Sequence, residues 1–417
     1  MVIYMKITMV SNYINHHQIP FSSAIYDRIG DEYHFVQTEE MEQKRIDMGW
    51  AVNSKSLPYV VLSYDEYDKA KKAIDDSDLL IVGWIKDESI IYDRLNNGKP
   101  VFRISERLYR EGQWKVISPK GLIRKYKDHI RYRNKPVYLL CNGAYVASDF
   151  NLIHAYPDKK YKFGYFPKTR NYYDPSILYR KKGELKKVEI EYADELPAPL
   201  PTLTNREIKI IWAGRFLELK HPEYMIKLAR DLQFRGYRFH IDMIGSGPMD
   251  DELKASAEYE LVSEYITFHG FLDPAKVRDM MEYCHIHIFT SNFLEGWGAV
   301  VNEGMNAGCA EIVNDETGVG PFLINHGVNG LLYSKGNYES MLEQVLMLFE
   351  NPELIGQFGK KAYETITQEW NAETAVERIF EFYDGLVNGK KISYDDGPMS
   401  IAKVINPGFF VSGKLDD

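Results

Sequence analysis

The chain has 417 residues, of which 45% are hydrophobic and 27% charged, so it can bury a sizeable core in two or three domains. It has no run of eighteen apolar residues, and its opening MVIYMKITMV is too short and too mixed for a signal peptide. We therefore expect a cytoplasmic protein without a membrane span. Its three cysteines, Cys141, Cys284 and Cys309, lack metal-binding spacing and are expected to be reduced core residues.

The charge is unevenly distributed along the chain. Residues 1–190 contain 32 Lys and Arg against 24 Asp and Glu, a balance of +8, and the remainder carries −17. The basic bias is strongest from Arg103 to Lys135, where GLIRKYKDHIRYR interleaves basic with apolar residues, as helices on anionic membrane surfaces do. A solvated face is the alternative. Nucleic acid is not an expected partner, because the whole chain is acidic and lacks a nucleic-acid-binding motif.

Residues 1–195 are predicted to form a Rossmann-like α/β domain. Strand patterns such as KITMVS, DLLIVGW and VFRIS alternate with helix patterns, which predicts a parallel sheet covered by helices. In such sheets ligands bind beyond the carboxyl ends of the strands. The loop 12–20, Trp84 and the segment 105–110 should therefore line one rim, with His17 as a candidate acceptor-binding residue. The alternative for His17 is a polar surface residue.

A second alternating half follows a Pro-rich segment. LPAPLPTLT lacks periodicity and should be extended and stiff, so residues 196–204 are predicted to be an interdomain linker. Residues 205–385 are predicted to form a second Rossmann-like domain, and residues 386–417 an irregular tail. Two such domains on a stiff linker would face each other across a cleft.

The stretch HIHIFTSNFLEGWGAVVNEGMNAG, residues 285–308, suggests a chemistry by its spacing. It predicts a strand, a glycine-bearing turn and a helix, so the amides of Gly296, Trp297 and Gly298 should form an anion site at the helix N-terminus. Glu295 and Glu303 would lie roughly 10 Å apart, which suits hydroxyl-bearing groups on either side of a diphosphate. The alternative is an amphipathic helix with solvated glutamates.

This E-x7-E spacing with EGWG resembles the donor-sugar signature of family 4 retaining glycosyltransferases, which have the GT-B fold. IIWAGRFLELKHPEYMI, MIGSGP and ITFHGFL resemble further segments of that family in the same order. The likeness covers roughly residues 205–385. It is weaker over residues 1–190, where SERLYREG and GYFP resemble bacterial polysaccharide-assembly members.

The resemblance implies transfer of a hexose from a nucleotide diphosphate sugar, with UDP favoured, to a glycan or lipid-linked acceptor, without a metal ion or cofactor. It implies a catalytic set of Arg215, Lys220 and Glu295, whose two cations would stabilise charge on the departing diphosphate. The implied substrate-binding residues, in addition to His17, are Glu303 on the ribose, Phe271 beside the base, and Gly214, Gly245, Gly296, Trp297 and Gly298.

Three departures from the family pattern leave the acceptor and the donor sugar open. The first loop is NYINHHQ and is not glycine-rich, the fourth N-terminal strand ends in Ser105–Glu106 without a histidine, and Pro321–Phe322 replaces Pro-Glu. Two other hypotheses remain: a non-catalytic nucleotide-sugar or glycan-binding subunit, and a GT-B sugar-nucleotide epimerase.

Two patterns that could suggest metal binding are interpreted otherwise. Asp76 and Asp78 form a D-x-D, but they precede a strand and are predicted to be helix-end and loop charges. His285 and His287 lie on one face of a short strand without a third ligand at metal spacing, so we predict core or rim histidines.

Overall fold

The computed structural model describes residues 5–46, 52–172, 175–188 and 201–405. Contacts divide the chain into two compact units. The first comprises the described residues within Met1–Lys168 and Glu369–Asp417, and the second those within Thr169–Gln368. Each unit contains its own sheet, and every strand pairing in the two sheets is parallel.

The first unit has a seven-stranded sheet. Its strands are β1 (Ile7–Ser11), β2 (Tyr33–Gln37), β3 (Val60–Leu62), β4 (Leu79–Val82), β5 (Val101–Ser105), β6 (Val137–Asn142) and β7 (Lys160–Phe163). They are ordered β3-β2-β1-β4-β5-β6-β7, so the order reverses between β1 and β4. All four residues of β4 are buried, as expected for a central strand covered on both faces.

Among the described residues of this unit, seven helices accompany the sheet. They are α1 (Ile19–Ile29), α2 (Gln43–Arg45), α3 (Tyr67–Asp76), α4 (Tyr92–Asn96), α5 (Pro119–Asp128), α6 (Val146–Leu152) and, from the end of the chain, α15 (Ala372–Val387). α1 begins with Pro20 in its first turn, a position where the missing N–H costs nothing. Asp76 ends α3 and Asp78 precedes β4, which confirms the predicted helix-end and loop positions.

The second unit has a six-stranded sheet in the order β10-β9-β8-β11-β12-β13. Its elements are α7 (Ser176–Lys182), β8 (Ile208–Ala213), α8 (Glu223–Phe234), β9 (Phe239–Ile244), α9 (Asp250–Tyr259), β10 (Ile266–Phe268), α10 (Pro274–Met281), β11 (Ile286–Phe289), α11 (Ala299–Asn306), β12 (Ala310–Asn314), α12 (Gly320–Leu323), β13 (Leu331–Tyr333), α13 (Tyr338–Glu350) and α14 (Pro352–Gln368). The predicted strand and helix alternation of both halves is therefore confirmed.

The unit boundaries differ from the predicted domain boundaries of 195 and 385. The second unit begins at Thr169 and ends at Gln368, and the chain then returns to the first unit. The buried Lys182 ammonium donates to the Met281 carbonyl at 3.0 Å, and Arg170 and Lys181 both pair with the buried Glu282. These contacts attach the segment to α10 and to the loop before β11.

The end of the chain belongs with the first unit. The Phe382 ring on α15 packs edge-on against Tyr138 and Tyr161, at centroid distances of 5.7 and 4.8 Å. Ile401, in the predicted tail, bridges to Tyr161 of β7. Of the predicted linker 196–204, residues 196–200 lie outside the described residues, and Thr204 bridges to Lys187 within the second unit.

All three cysteines are buried and unbridged, which confirms their predicted place in the core. Burial raises the pKa of the Cys309 thiol to about 11. No helix in the described part of the chain has the length and hydrophobicity to cross a bilayer.

Candidate functional site

The loops after β8, β9 and β10 approach one another through glycines. The Gly214 N–H donates to the Ile244 carbonyl and the Gly245 N–H to the Gly270 carbonyl, each at 2.9 Å. Gly245 has φ +139°, and a Cβ there would lie 1.8 Å from the Gly214 oxygen. Only glycine can therefore occupy position 245, because any side chain would collide with the neighbouring backbone.

Lys220 and Glu295 form an ion pair beside these loops. The Lys220 Nζ lies 2.5 Å from the Glu295 Oε2, and the Ser291 hydroxyl donates to the same oxygen at 3.2 Å. Lys220 lies in the loop after β8, and Glu295 lies in the loop after β11. The strand order reverses between β8 and β11, the position where open α/β sheets bind ligands.

Hydrogen bonds beneath the pair hold the two loops together. The Trp212 indole donates to the Thr290 hydroxyl at 2.7 Å, and that hydroxyl in turn donates to the Lys220 carbonyl. The Asn292 N–H donates to the Leu219 carbonyl at 2.8 Å. Because Trp212 and Thr290 are both buried, this series of hydrogen bonds gives the ion pair rigid support.

Arg215 is a cation of this region that has no ion-pair partner among the described residues. It is exposed, two residues beyond the end of β8, and its guanidinium forms no ion pair or hydrogen bond with the described part of the chain. Lys220 is already neutralised by Glu295. Arg215 is therefore a cation that no carboxylate of the described residues neutralises by an ion pair, and its planar guanidinium suits phosphate oxygens.

The EGWG turn leads directly into α11. Gly298 is the residue before the helix, with φ +104°, and a Cβ there would lie 2.6 Å from the Phe289 ring. The N–H groups of Gly296 and Gly298 donate to no acceptor among the described residues. These two glycines therefore leave backbone donors before α11, and the anion site expected from Gly296, Trp297 and Gly298 stays a prediction.

The Trp297 side chain is a core residue. It is 1% exposed, its indole donates to the Asn302 Oδ1 at 2.8 Å, and its ring packs edge-on against Phe322. A ligand at this turn would therefore meet the Trp297 backbone and not its indole. Phe322, one of the departures from the family pattern, is thus part of the packing beneath the turn.

Glu303 lies on α11, one turn after the EGWG segment. It is partly buried and accepts no hydrogen bond from the described residues, and burial raises the pKa of its carboxyl while the nearby Arg278 opposes that rise. A carboxylate that accepts no hydrogen bond from these residues keeps its lone pairs for an external donor such as a hydroxyl.

His287 and Glu311 form a buried pair behind α11. Both side chains are fully buried, with His287 Nδ1 2.7 Å from Glu311 Oε2. A Cβ on Gly304 would lie 2.2 Å from Glu311 Oε1, so the pair packs directly against the helix residue after Glu303. The His285 ring is also buried and hydrogen-bonds the Lys182 carbonyl and the Lys209 N–H, both backbone groups. Both histidines are core residues, as predicted.

Phe271 is 61% exposed in the loop that follows Gly270, so its ring is open to a planar ligand. Among the residues that the structure describes, no three His, Cys, Asp or Glu side chains come together as a metal site.

The first unit places His17 in the loop between β1 and α1. Its ring lies 3.9 Å from His16 and 5.5 Å from Tyr165, centroid to centroid. Burial, and then the neighbouring His16, lower the pKa of His17 to about 3, so the ring is neutral at pH 7. The Asn12 N–H bonds the Trp84 carbonyl at 2.7 Å, which joins the loops after β1 and β4 at that sheet's reversal point.

A buried network that the sequence did not reveal supports the nearby SERLYREG segment. The Asp149 carboxylate, fully buried, accepts from Arg107 at 3.2 Å, from the Tyr109 N–H at 3.0 Å and from Gln113 at 2.8 Å. The partners are 36 to 42 residues away in the chain, so only the fold brings them together.

The fold is that of GT-B glycosyltransferases. HepE from Anabaena, solved in complex with UDP, superposes with a TM-score of 0.62 at 14% identity, covering 91% of this chain and 100% of its own. Sucrose-phosphate synthase from Thermosynechococcus elongatus gives 0.60 at 13% identity, covering 92% and 99%. At these low sequence identities the structural similarity shows the fold alone.

Residues 201–365 match the family model described as glycosyl transferases group 1. The amylovoran biosynthesis glycosyltransferase AmsK of Erwinia amylovora is 22% identical over 208 residues, 49% of either chain. An uncharacterized glycosyltransferase of Methanocaldococcus jannaschii is 26% identical over 176 residues, 42% of this chain and 48% of its own. The match spans about half the length of these curated relatives.

Proposed function

We propose that this protein is a retaining glycosyltransferase of the family 4 type. It transfers a hexose from a nucleotide diphosphate sugar, with a UDP-sugar favoured, to a glycan or lipid-linked acceptor in cell-surface polysaccharide synthesis. The observation that carries the proposal is the exposed Arg215 in the same loop after β8 as Lys220, whose ammonium pairs with Glu295 in the loop after the neighbouring strand β11. The group 1 segment, the UDP complex of HepE and the amylovoran relative support it.

The chemistry requires stabilisation of a departing diphosphate. The bond from the anomeric carbon to the diphosphate oxygen breaks, a bond to the acceptor oxygen forms on the same face, and the acceptor proton passes to the leaving phosphate. Negative charge grows on the diphosphate during this step. Arg215 would bind that charge directly, and the Gly296 and Gly298 amides would donate to it at the helix N-terminus.

The two carboxylates would hold hydroxyl groups on either side of the diphosphate. Glu303 has no internal hydrogen bond to break, and we assign it to the ribose. Glu295 is already bound to Lys220, and we assign the pair to the sugar side, where the ammonium can also contact a phosphate oxygen. Phe271 would stack on the base, and neutral His17 would contact the acceptor.

A panel of UDP- and GDP-sugars tests this proposal. Incubation with the protein, alone and with candidate acceptors, should release free UDP from one UDP-sugar and yield a product with the donor's anomeric configuration. Conversion of a nucleotide sugar to its epimer would identify the epimerase. Saturable UDP binding without turnover of any nucleotide sugar would identify the non-catalytic subunit. The inverted anomer would refute retention.

We further infer peripheral association with the cytoplasmic leaflet through α5. No residue of this helix is buried, and Ile123 and Tyr126 are 60% and 57% exposed on it. The exposed Lys120, Arg124 and Lys127 lie among them. Apolar groups beside cations favour an anionic lipid surface, at about 1 kcal/mol per basic residue engaged.

Only part of the basic stretch from Arg103 to Lys135 can contribute to the proposed membrane-binding surface. Arg103 and Arg107 are buried and paired with Glu88 and Asp149, so neither faces solvent. Liposome co-sedimentation should require anionic lipid, weaken with salt, and fall when Lys120, Arg124 and Lys127 become Glu. The matched control changes the exposed Lys254, Lys276 and Lys360 to Glu. Equal losses of liposome binding in both variants, or equal binding to neutral vesicles, would refute a membrane-binding surface on α5.

A further inference from the structure

A cavity of about 720 Å³ lies beside the edge strand β7 in the first unit. Its lining includes Tyr138 near the start of β6, and Lys160 and Tyr161 at the start of β7. The other wall is the end of α15 and the chain that follows it. The cavity is therefore at the amino ends of these strands, whereas His17 and Trp84 follow the carboxyl ends of β1 and β4 in the same sheet. It does not belong to the site proposed above.

One side of the cavity is apolar. The rings of Tyr138, Tyr161 and Phe382 line it, and both tyrosine rings contact the Phe382 ring edge-on. Ile401 and Val404 continue this surface and are 58% and 52% exposed. The volume lies within the roughly 300–1,000 Å³ of small-molecule sites. Contiguous apolar surface left open to water in a concave site favours an apolar ligand.

The rim of the cavity is cationic. Lys390, Lys391 and Lys403 line it, are exposed, and form no ion pair or hydrogen bond with the described residues. Lys390 and Lys391 follow α15, and Lys403 follows the short segment that pairs with β7. Asp158 is the sole acidic residue in the lining of the cavity as described.

Two further lysines are built into the wall. The Lys159 Nζ donates to the Arg133 and Lys135 carbonyls at 2.7 and 2.6 Å, and the Lys160 Nζ donates to the Tyr156 carbonyl at 3.0 Å. Burial lowers the pKa of both lysines, and at Lys160 the nearby Cys141 and Asp158 oppose that shift without cancelling it. The wall thus holds positive charge that an anion would neutralise.

We propose that this cavity is a binding site for an anionic amphiphile. The apolar chain would cover the aromatic and aliphatic wall, and a phosphate or carboxylate head would lie among Lys390, Lys391 and Lys403. A neutral glycan would leave the ammonium groups without a counter-charge. A hydrophilic polyanion would leave Ile401 and Val404 exposed. The inference is independent of the proposed glycosyl transfer.

Calorimetric titration of the full chain with monododecyl phosphate, below its micelle concentration, tests the site. Saturable binding is expected. Dodecyl maltoside, with the same chain and a neutral head, should bind at least tenfold more weakly, and inorganic phosphate alone should give no saturable binding at the same concentrations. Dodecanoate, titrated in parallel, distinguishes a carboxylate from a phosphate head, and saturable binding of either anion supports the site.

Two variants separate the cationic rim from the apolar wall. Changing Lys390, Lys391 and Lys403 to Glu should weaken dodecyl phosphate binding at least tenfold, and Ile401→Asp should do the same. The control changes Lys254, Lys276 and Lys360 to Glu and should bind as wild type, with circular dichroism confirming that each variant folds. Unchanged affinity in the rim variant, equal binding of the maltoside, or no saturable binding of either anion would overturn the proposal. Nucleotide-sugar turnover, measured separately, should be unchanged in the rim variant.

Discussion

The Lys220 ammonium lies 2.5 Å from a Glu295 carboxylate oxygen, and the two residues are 75 positions apart in the chain. Both side chains are about one-fifth exposed, so a ligand can still reach them. Since each neutralises the other, removal of either leaves an uncompensated charge in the proposed donor site. The effect of a substitution therefore depends on its partner.

The first prediction concerns this coupling. Lys220→Met should lower kcat/KM for the donor by about 100-fold, because it removes a cation and leaves Glu295 to repel the diphosphate. Glu295→Gln should also lower kcat/KM, and the double variant should lose less than the product of the two single effects. The measurement is a double-mutant cycle of kcat/KM. Multiplicative losses would show that the two residues act independently.

The second prediction concerns Arg215. Arg215→Gln should lower kcat about tenfold or more and change KM less, because the cation acts most strongly on charge that develops in the transition state. Lys254→Gln, which removes an exposed cation on α9, is the matched control and should have wild-type kinetics. Equal kinetics for the two variants would make Arg215 an ordinary surface residue.

The third prediction separates affinity from stability at Glu303. Glu303→Gln should weaken UDP binding roughly tenfold in calorimetry, since charge-assisted hydrogen bonds to the ribose are lost. The same variant should unfold at an equal or higher temperature, because burial makes the charged carboxylate costly in the folded state. Glu258→Gln on α9 is the control for both measurements.

The sign of the pH dependence follows from the raised pKa of Glu303. Its contribution to stability is largest below its usual pKa of 4.5, where the carboxyl is protonated, and it is lost as the pH rises through the raised value. UDP affinity should change in the opposite direction and fall as the carboxylate becomes protonated. Comparison with Glu303→Gln isolates this group. If UDP affinity depends on pH in the same way in the wild type and in Glu303→Gln, Glu303 does not take part in nucleotide binding.

The fourth prediction concerns Gly245. Gly245→Ala should lower the unfolding midpoint and weaken UDP binding, because its Cβ would lie 1.8 Å from the Gly214 oxygen and φ is +139°. The expected cost is about 1–3 kcal/mol. Gly356→Ala is the matched control: it lies within α14 with no atom near its Cβ and should stabilise the protein by up to about 1 kcal/mol. Equal effects would show that the loops adjust without strain.

The fifth prediction concerns the buried His287–Glu311 pair. Glu311→Ala should destabilise the second unit by about 3 kcal/mol, because it leaves His287 buried without its partner. Replacing both residues with Leu should recover much of that loss, since no buried polar group is then left unpaired. Urea unfolding followed by circular dichroism measures both. A double variant as unstable as Glu311→Ala would point to lost packing.

Local pattern alone determined most of the fold. The alternation of apolar strand runs with amphipathic helices predicted two parallel sheets, because strands covered on both faces must be apolar throughout. The E-x7-E spacing likewise predicted Glu295 before the glycine turn and Glu303 inside α11, since both positions depend only on chain geometry.

Only the tertiary structure decided which residues pair and which unit a helix joins. Arg103 and Arg107 belong to a basic run, yet both are turned inward toward acids distant in sequence. An amphipathic pattern predicts that one face of α15 is buried, but it does not predict which surface covers that face. In the structure, Phe382 packs against β6 and β7 of the first unit, although α15 follows the second unit in the chain. Such contacts are selected by shape and charge across long separations, which a local sequence pattern does not record.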